Sequence, residues 1–527
     1  MDENELPRSL SGSSGEEGGP IGIASRHWDE PLGRRGALSA RLVRRTTSRL
    51  RRVSRALLAR PRARPHPRAA PLLDALFSTL VALPPAARLP VLLGPDVRGF
   101  LAEAEIWLEV GRLAATIPGT GRRGPRERRL ARLFDQIART EHLTTLVPDG
   151  RLDAGFPGRS LAFARRRLET ALDDLSAFVL GLRMAYPSPR VLEVSLRFRE
   201  DAEQGRPAHR IDLGSLSAPA GPLGIASIAA GGSGEGPHVA AALRRGALAV
   251  RTAGGTVAVF PAAGSRLTVP DLATEGSGRA GAPRHGPRAP GARLIRRETI
   301  PGTSILLAPL VESRPRRLRV RRQVPGLARR LARALRIIQI AWPEAHREII
   351  LRTRMVVPIH EPGTVSWSLA ARPGVSFIHV AGKSLVDLAD DLLHENSHHR
   401  LHDMEEASRL LRPGADTREV QAFDSPWRGT RRPLRGILHG AYTFLFRAGL
   451  FRRILRASRD HPRLLAADLG RSGPRLARRE LRREIGMVGR ALCDLRRSSA
   501  EGLLTPAGVR LVRQMTRVYR NVRRESR

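Results

Sequence analysis

The chain has 527 residues, a formal net charge of +41 and one cysteine, Cys493, so it can bury large cores but excludes an internal disulfide; a reducing, cytoplasmic setting is expected. No signal peptide is expected from the acidic, polar start MDENELPRS, and the most apolar early stretch, 72–94, is interrupted by Pro84, Pro85, Arg88 and Pro90, which rules it out as a membrane span. Only Lys383 among the 91 basic residues is not arginine, aromatics make up 4%, and no helix-turn-helix, zinc-finger or RNP-like pattern occurs, so the charge reads as arginine-rich composition and no dedicated nucleic-acid binding is expected.

Residues 1–70 form a basic lead expected to be disordered, apart from a basic helix over Leu42 to Leu58 that Pro61, Pro65 and Pro67 would end. A helical domain is expected over 71–186, where Leu72, Leu73, Leu76 and Leu80 recur at helical spacing and 161–182 reads as one long helix. Residues 187–323 change to short alternating runs such as VLEVSLRF, ALAVRT, TVAVF and SILLAPL, which read as strands. Gly/Pro/Ser-rich spacers at 214–236 and 275–293 separate them, the second expected to be a flexible loop. From 324 to 456 the helical period returns around a short sheet (MVVPI, TVSWSLA, VSFIHVA), and 457–527 reads as a basic helical C-terminal region. The fold class expected is therefore α+β, with a helical N-terminal domain, a β-rich middle segment and a mainly helical metal-binding region.

Within 324–456, Ser384 and Asp387 make a capping-box-like start to a helix carrying DDLLHENSHHRLHDMEE. His394 and His398 lie four apart, so both imidazoles leave one face and can grip one ion. Glu395 follows the first, about 100° further round, where it can approach a metal-bound water. Chance alone gives fewer than about 0.04 such HExxH matches in a chain of this composition. Asp390, one turn earlier, is a candidate for orienting His394, while His399 and His402 are expected at the surface or behind the ligands. A third ligand is required, and Glu419, Asp424 and His439 are the candidates downstream. Leu401 and Met404 exclude the metzincin spacing.

Four segments, ALPPAARLPVLLGPDVRGFL, AWPEAHREII with MVVPI, LVDLADDLLHENSHHRL, and SPWRGTRRPLRGILHGAYTF, together resemble the HExxH-domain proteins of bacterial peptide natural-product (RiPP) pathways. The resemblance is loose over 71–450 and closer over 337–445. It implies the class of α-ketoglutarate-dependent HExxH peptide β-hydroxylases: iron(II) held by His394, His398 and His439, 2-oxoglutarate as cosubstrate, and a peptide as substrate. The distal carboxylate of 2-oxoglutarate needs a fixed cation, for which Arg428, Arg432 and Arg435 are candidates. An acidic precursor peptide would suit the basic surface. Two other readings stand beside it: a zinc peptidase with Glu395 as general base, and a non-enzymatic basic module that holds an acidic peptide or nucleic acid.

Overall fold

The computed structural model describes residues 37–58, 68–83, 91–115 and 157–185, the strands between 192 and 296, and most of 298–524. Helices make up most of it, with smaller sheets, so the class is mixed α+β. The contacts divide it into two compact units, 46–297 with 320–322, and 298–319 with 323–527 plus the start of the chain. No helix among the described residues is long and apolar enough to cross a membrane.

Helix α1 (Ala37–Leu58) covers the basic helix expected over Leu42 to Leu58 within the lead and starts five residues earlier. Its order has a physical reason: Leu42, Thr46, Leu50, Val53 and Leu57 recur every three or four residues and are buried. In the first unit, α2 (Ala69–Ala82), α3 (Pro95–Ala115) and α4 (Pro157–Ala185) pack on one another through Leu73, Leu76, Trp107, Leu172 and Phe178. Arg49 of α1 grips Glu105 of α3, with Nη2 to Oε2 at 2.8 Å. The strands follow as β1 (Leu192–Arg197), β2 (Arg199–Asp201), β3 (Ala208–Leu213), β4 (Ala226–Gly231), β5 (His238–Arg244), β6 (Ala247–Thr252), β7 (Gly255–Pro261) and β8 (Arg293–Arg296). They form two antiparallel sheets, ordered β1-β5-β6-β7 and β2-β3-β4-β8. Strand β4 falls inside the stretch expected to be a spacer: ASIAAG has too little side chain to signal a strand, yet it pairs on both edges. The loop expected over 275–293 lies outside the described residues.

The second unit has a sheet of β9 (Leu306–Leu307), β10 (Leu310–Arg314), β11 (Arg317–Arg321), β12 (Met355–His360), β13 (Trp367–Ser368) and β14 (Val375–His379). Its order is β11-β10-β12-β14-β13, with β9 also on β12. Helices α5 (Leu327–Ala341) and α6 (Pro343–Arg352) precede β12, and α7 (Leu385–Ala407) follows β14. A two-stranded ribbon, β15 (Phe423–Asp424) and β16 (Arg431–Arg432), leads into α8 (Leu434–Asp460), α9 (Pro462–Leu469), α10 (Gly473–Ala500) and α11 (Pro506–Arg524). Helix α8 runs through the core, burying Tyr442, Phe446, Leu450 and Phe451 among α5, α7 and α10. Burial of each such side chain is worth about 1.5–3 kcal/mol.

A second layer of order is ionic. Glu348 of α6 accepts from Arg352 at 2.9 Å and from Arg400 of α7 at 3.0 Å, and Arg352 also pairs with Asp403. All four are buried, so each charge is compensated inside the protein.

The turn between α10 and α11 locks onto the chain just beyond α7. Thr505 donates to the Leu410 carbonyl from its backbone N at 3.0 Å, and Leu411 bridges Leu504. Gly508 makes this approach possible, since a Cβ there would stand 2.1 Å from the Leu410 oxygen. Helix propensity alone would make Gly508→Ala favourable by under about 1 kcal/mol. The backbone clash outweighs it, so this variant should lose about 1–3 kcal/mol in urea unfolding. An unchanged or raised midpoint would show that the α10–α11 turn is not held against Leu410.

Candidate metal centre

Helix α7 starts where the capping box places it: Asp387 N donates to Ser384 Oγ at 3.2 Å, and Ser384 N donates to Asp387 Oδ2 at 3.0 Å. From that start, the helical repeat sets His394, His398 and His402 on one stripe. Helix α8 crosses α7 and brings His439 to it. The ring centroids of His398 and His439 are 5.5 Å apart, and those of His402 and His439 5.3 Å. His398, His402 and His439 each offer a ligand atom within 4.8 Å of the others. The two Nδ1 atoms of His398 and His439 are 3.3 Å apart. Two imidazole nitrogens bound to one tetrahedral ion, at about 2.0–2.1 Å each, would be separated by about 3.3–3.4 Å.

His439 is oriented from behind. Its Nε2 lies 3.2 Å from Glu405 Oε1, an ion-pair distance without hydrogen-bond geometry, while Nδ1 faces His398. Glu405 is in turn held by Arg435, with Nε to Oε1 at 3.0 Å and Nη2 to Oε2 at 2.7 Å. Burial alone would raise the Glu405 pKa, but His439 and Arg435 overcome it and hold this carboxyl well below the usual range. A carboxylate behind an imidazole is the usual way to fix a metal-binding tautomer. Burial, aided by neighbouring histidines, pushes the pKa values of His398 and His402 well below the ordinary one, and burial with Arg447, Arg428 and Lys383 takes that of His394 to about 3. Neutral imidazole is the form that binds a metal, so the donor set fits a divalent cation.

The histidines whose ligand atoms lie closest together among the described residues are His398, His402 and His439, where His394, His398 and His439 were expected to act. His402, expected at the surface or behind the ligands, joins His398 and His439. His394 stands one turn away, its ring 4.9 Å from that of His398 and 4.9 Å edge-on from Phe444. The physical signal for His402 was its i+4 spacing from His398 on the same stripe. His399 is buried against the sheet, where Gly374 N donates to its Nδ1 at 3.3 Å and Ser376 Oγ lies 3.1 Å from its Nε2. Of the other third-ligand candidates, Asp424 has a 95% exposed side chain facing Arg431, which removes it, and Glu419 lies outside the described residues.

Asp390 does not orient His394: its carboxylate is taken by Arg447 of α8, with Nε to Oδ2 at 2.6 Å. Burial pushes the Asp390 pKa up to about 7 despite Arg447. Arg447 also donates to Glu484 of α10 at 3.0 Å, and the other Glu484 oxygen accepts from Trp427 Nε1 at 3.0 Å. Trp427 stacks on Phe444 at 4.5 Å and closes over Gly440, where a Cβ would stand 2.7 Å from the indole. Arg447, Glu484 and Glu405 carry no motif, so the sequence offers no signal for them.

Of the arginines expected to meet a carboxylate, Arg435 is committed to Glu405. Arg428 and Arg432 are exposed on the turn and ribbon before α8, and Arg428 is close enough to lower the pKa of His394. Glu395 is fully buried, and neither carboxylate oxygen has a hydrogen-bond partner among the described residues. Burial pushes its pKa well up, with the Ser368 hydroxyl opposing.

In comparisons with known proteins, no protein-family model matches the chain and no curated protein matches it in sequence.

This geometry fixes two outcomes. In equilibrium dialysis against zinc or iron(II), His402→Ala and His439→Ala should each weaken binding by at least about 100-fold, whereas His394→Ala retains it; the reverse ranking would restore the His394–His398 pair. The second concerns acid. An unfolded His394 takes up a proton near pH 6.5, but the folded one does so only near pH 3. The unfolded state therefore gains from protonation as pH falls below about 6.5, and the metal-free protein loses stability. From pH 7 to 5 it should lose more than the His394→Asn variant does in paired urea titrations; equal losses would mean that His394 titrates normally.

Proposed function

We propose that this chain is an iron(II)- and 2-oxoglutarate-dependent oxygenase that hydroxylates a β-carbon in a peptide. The observation carrying this reading is the position of His439: the residue that the downstream segment of the resemblance assigns to the metal lies, with its Nδ1, 3.3 Å from that of His398. His398, His402 and His439 would hold the ion. When bound, iron(II) with 2-oxoglutarate supplies the oxidising chemistry for breaking a C–H bond. An all-histidine set departs from the two-histidine, one-carboxylate arrangement common for such iron. Here Glu405 supplies the carboxylate one step removed, through His439.

The remaining work falls to the chain's own groups. Arg428 has no ion pair among the described residues and is the best-placed cation for the far carboxylate of 2-oxoglutarate. Trp427 and Phe444 wall the His394 end of the stripe and keep water from it. A zinc peptidase is the second reading, favoured by one observation, the buried and unpartnered Glu395 carboxyl next to His394. In that reading Glu395 takes the proton of the attacking water.

Anaerobic titration of the metal-free protein with iron(II) and then 2-oxoglutarate separates the two. The oxygenase reading expects a visible charge-transfer band, absent in His439→Ala and requiring roughly tenfold more 2-oxoglutarate in Arg428→Ala. Absence of the band in the wild type, together with stoichiometric zinc and peptide cleavage lost in Glu395→Gln, would replace it with the peptidase.

A further inference from the structure

A cavity of about 350 Å³ opens between α10 and α11, within the size range of small-molecule sites. Arg496 reaches it from α10, and Arg520, Arg523 and Arg524 from α11; no carboxylate is among its lining residues. Arg496 is anchored locally, its Nε donating to the Leu492 carbonyl at 3.3 Å and its Nη2 to Cys493 Sγ at 3.1 Å, which leaves further N–H groups for a ligand. One wall is aromatic. The Tyr519 ring lies against Gly489, where a Cβ would stand 2.5 Å from the tyrosine hydroxyl, so this wall exists because position 489 has no side chain.

The guanidinium groups of Arg496, Arg520 and Arg524 beside one small volume repel one another, and a dense anion relieves that repulsion. The density decides the class of ligand. Alternate carboxylates on an extended acidic peptide are about 6–7 Å apart and would run out of the cleft. Adjacent phosphoryl groups concentrate the same charge in a few ångströms, and their oxygens match the guanidinium fork. We propose that the α10–α11 cleft binds a phosphate-bearing small molecule with at least two linked phosphoryl groups, held by Arg496, Arg520 and Arg524, with its organic part against Tyr519. This site is independent of the metal centre and of the reaction assigned to it.

The test is calorimetric titration of the full chain at one fixed ionic strength, with inorganic pyrophosphate and with ADP as probes. Saturable binding of one molecule per chain is expected for both. Arg496→Ala/Arg520→Ala should weaken it by at least about tenfold, while Arg482→Ala/Arg490→Ala, exposed positions on α10 outside the cleft, should leave it unchanged. Gly489→Ala displaces the tyrosine and should weaken ADP more than pyrophosphate. No saturable binding of either probe would overturn the proposal, as would equal losses in the two double variants, which would mark a diffuse field. Binding of a short DNA duplex or of phosphatidylserine vesicles that pyrophosphate cannot displace would also overturn it, in favour of an extended polyanion surface.

Discussion

The candidate metal centre depends on one buried cation. Arg447 leaves α8 in the middle of the core, takes Asp390 of α7 at 2.6 Å and Glu484 of α10 at 3.0 Å, and through Glu484 fixes the indole of Trp427. Three helices and the turn before α8 thus share one guanidinium. Removing such charges from water costs several kcal/mol each, which the mutual attraction offsets only in part, since Asp390 Oδ1 has no hydrogen-bond partner among the described residues. The Asp390 pKa, pushed up to about 7, records that burial outweighs the attraction of Arg447. Arginine suits the task where lysine would not, because its planar fork serves two carboxylates in fixed directions. Its consequence is geometric: with α7 and α8 pinned at Asp390 and Arg447, about two turns further along α7 and two turns back along α8 the same crossing brings His398 and His439 together.

The same logic recurs on the far side of the stripe. Arg435 holds Glu405, and Glu405 faces His439. Beneath α7, Glu348, Arg352, Arg400 and Asp403 close a further buried network. A chain so rich in arginine uses the residue in two ways. Some guanidinium groups are internal rivets that set histidine geometry, while many on α10 and α11 face solvent. Burial and partnership separate the two populations; composition does not.

That difference explains what could be read in advance. Helix α7 was legible because a capping box, an apolar side and the HExxH spacing agree on one start and one face. The strands of 355–379 were legible as short, largely apolar runs between helical stretches. His402 was visible as a position but not as a ligand, because its role depends on α8 crossing α7 at His439 and on Glu405 behind that crossing. Arg447 could not be singled out from some ninety like residues, since nothing local distinguishes a rivet from a surface arginine. Strand β4 escaped because Ala, Ser and Gly carry little periodic signal, although one of its partners, β3, is the strand just before it.

A ligand group of His398, His402 and His439, in place of one built on His394 and His398, would bear on the chemistry through helix arithmetic. In the usual HExxH arrangement the glutamate sits between its two ligands and its carboxylate reaches the water on the ion. If the ion lies between His398 and His402, Glu395 is about 4.5 Å before the first ligand along the helix axis and about 10 Å before the second. Side chains on a helix lean toward its N-terminus, so Glu395 leans away from the ion rather than over it. Its complete burial, its raised pKa and the Ser368 hydroxyl beside it place it against the sheet side of α7. A carboxyl so placed is poorly set to take a proton from a metal-bound water. An oxygenase has no such requirement, because its hydrogen abstraction needs no general base. With the ion held by His398, His402 and His439, this geometry would suit a reaction that needs no general base on Glu395.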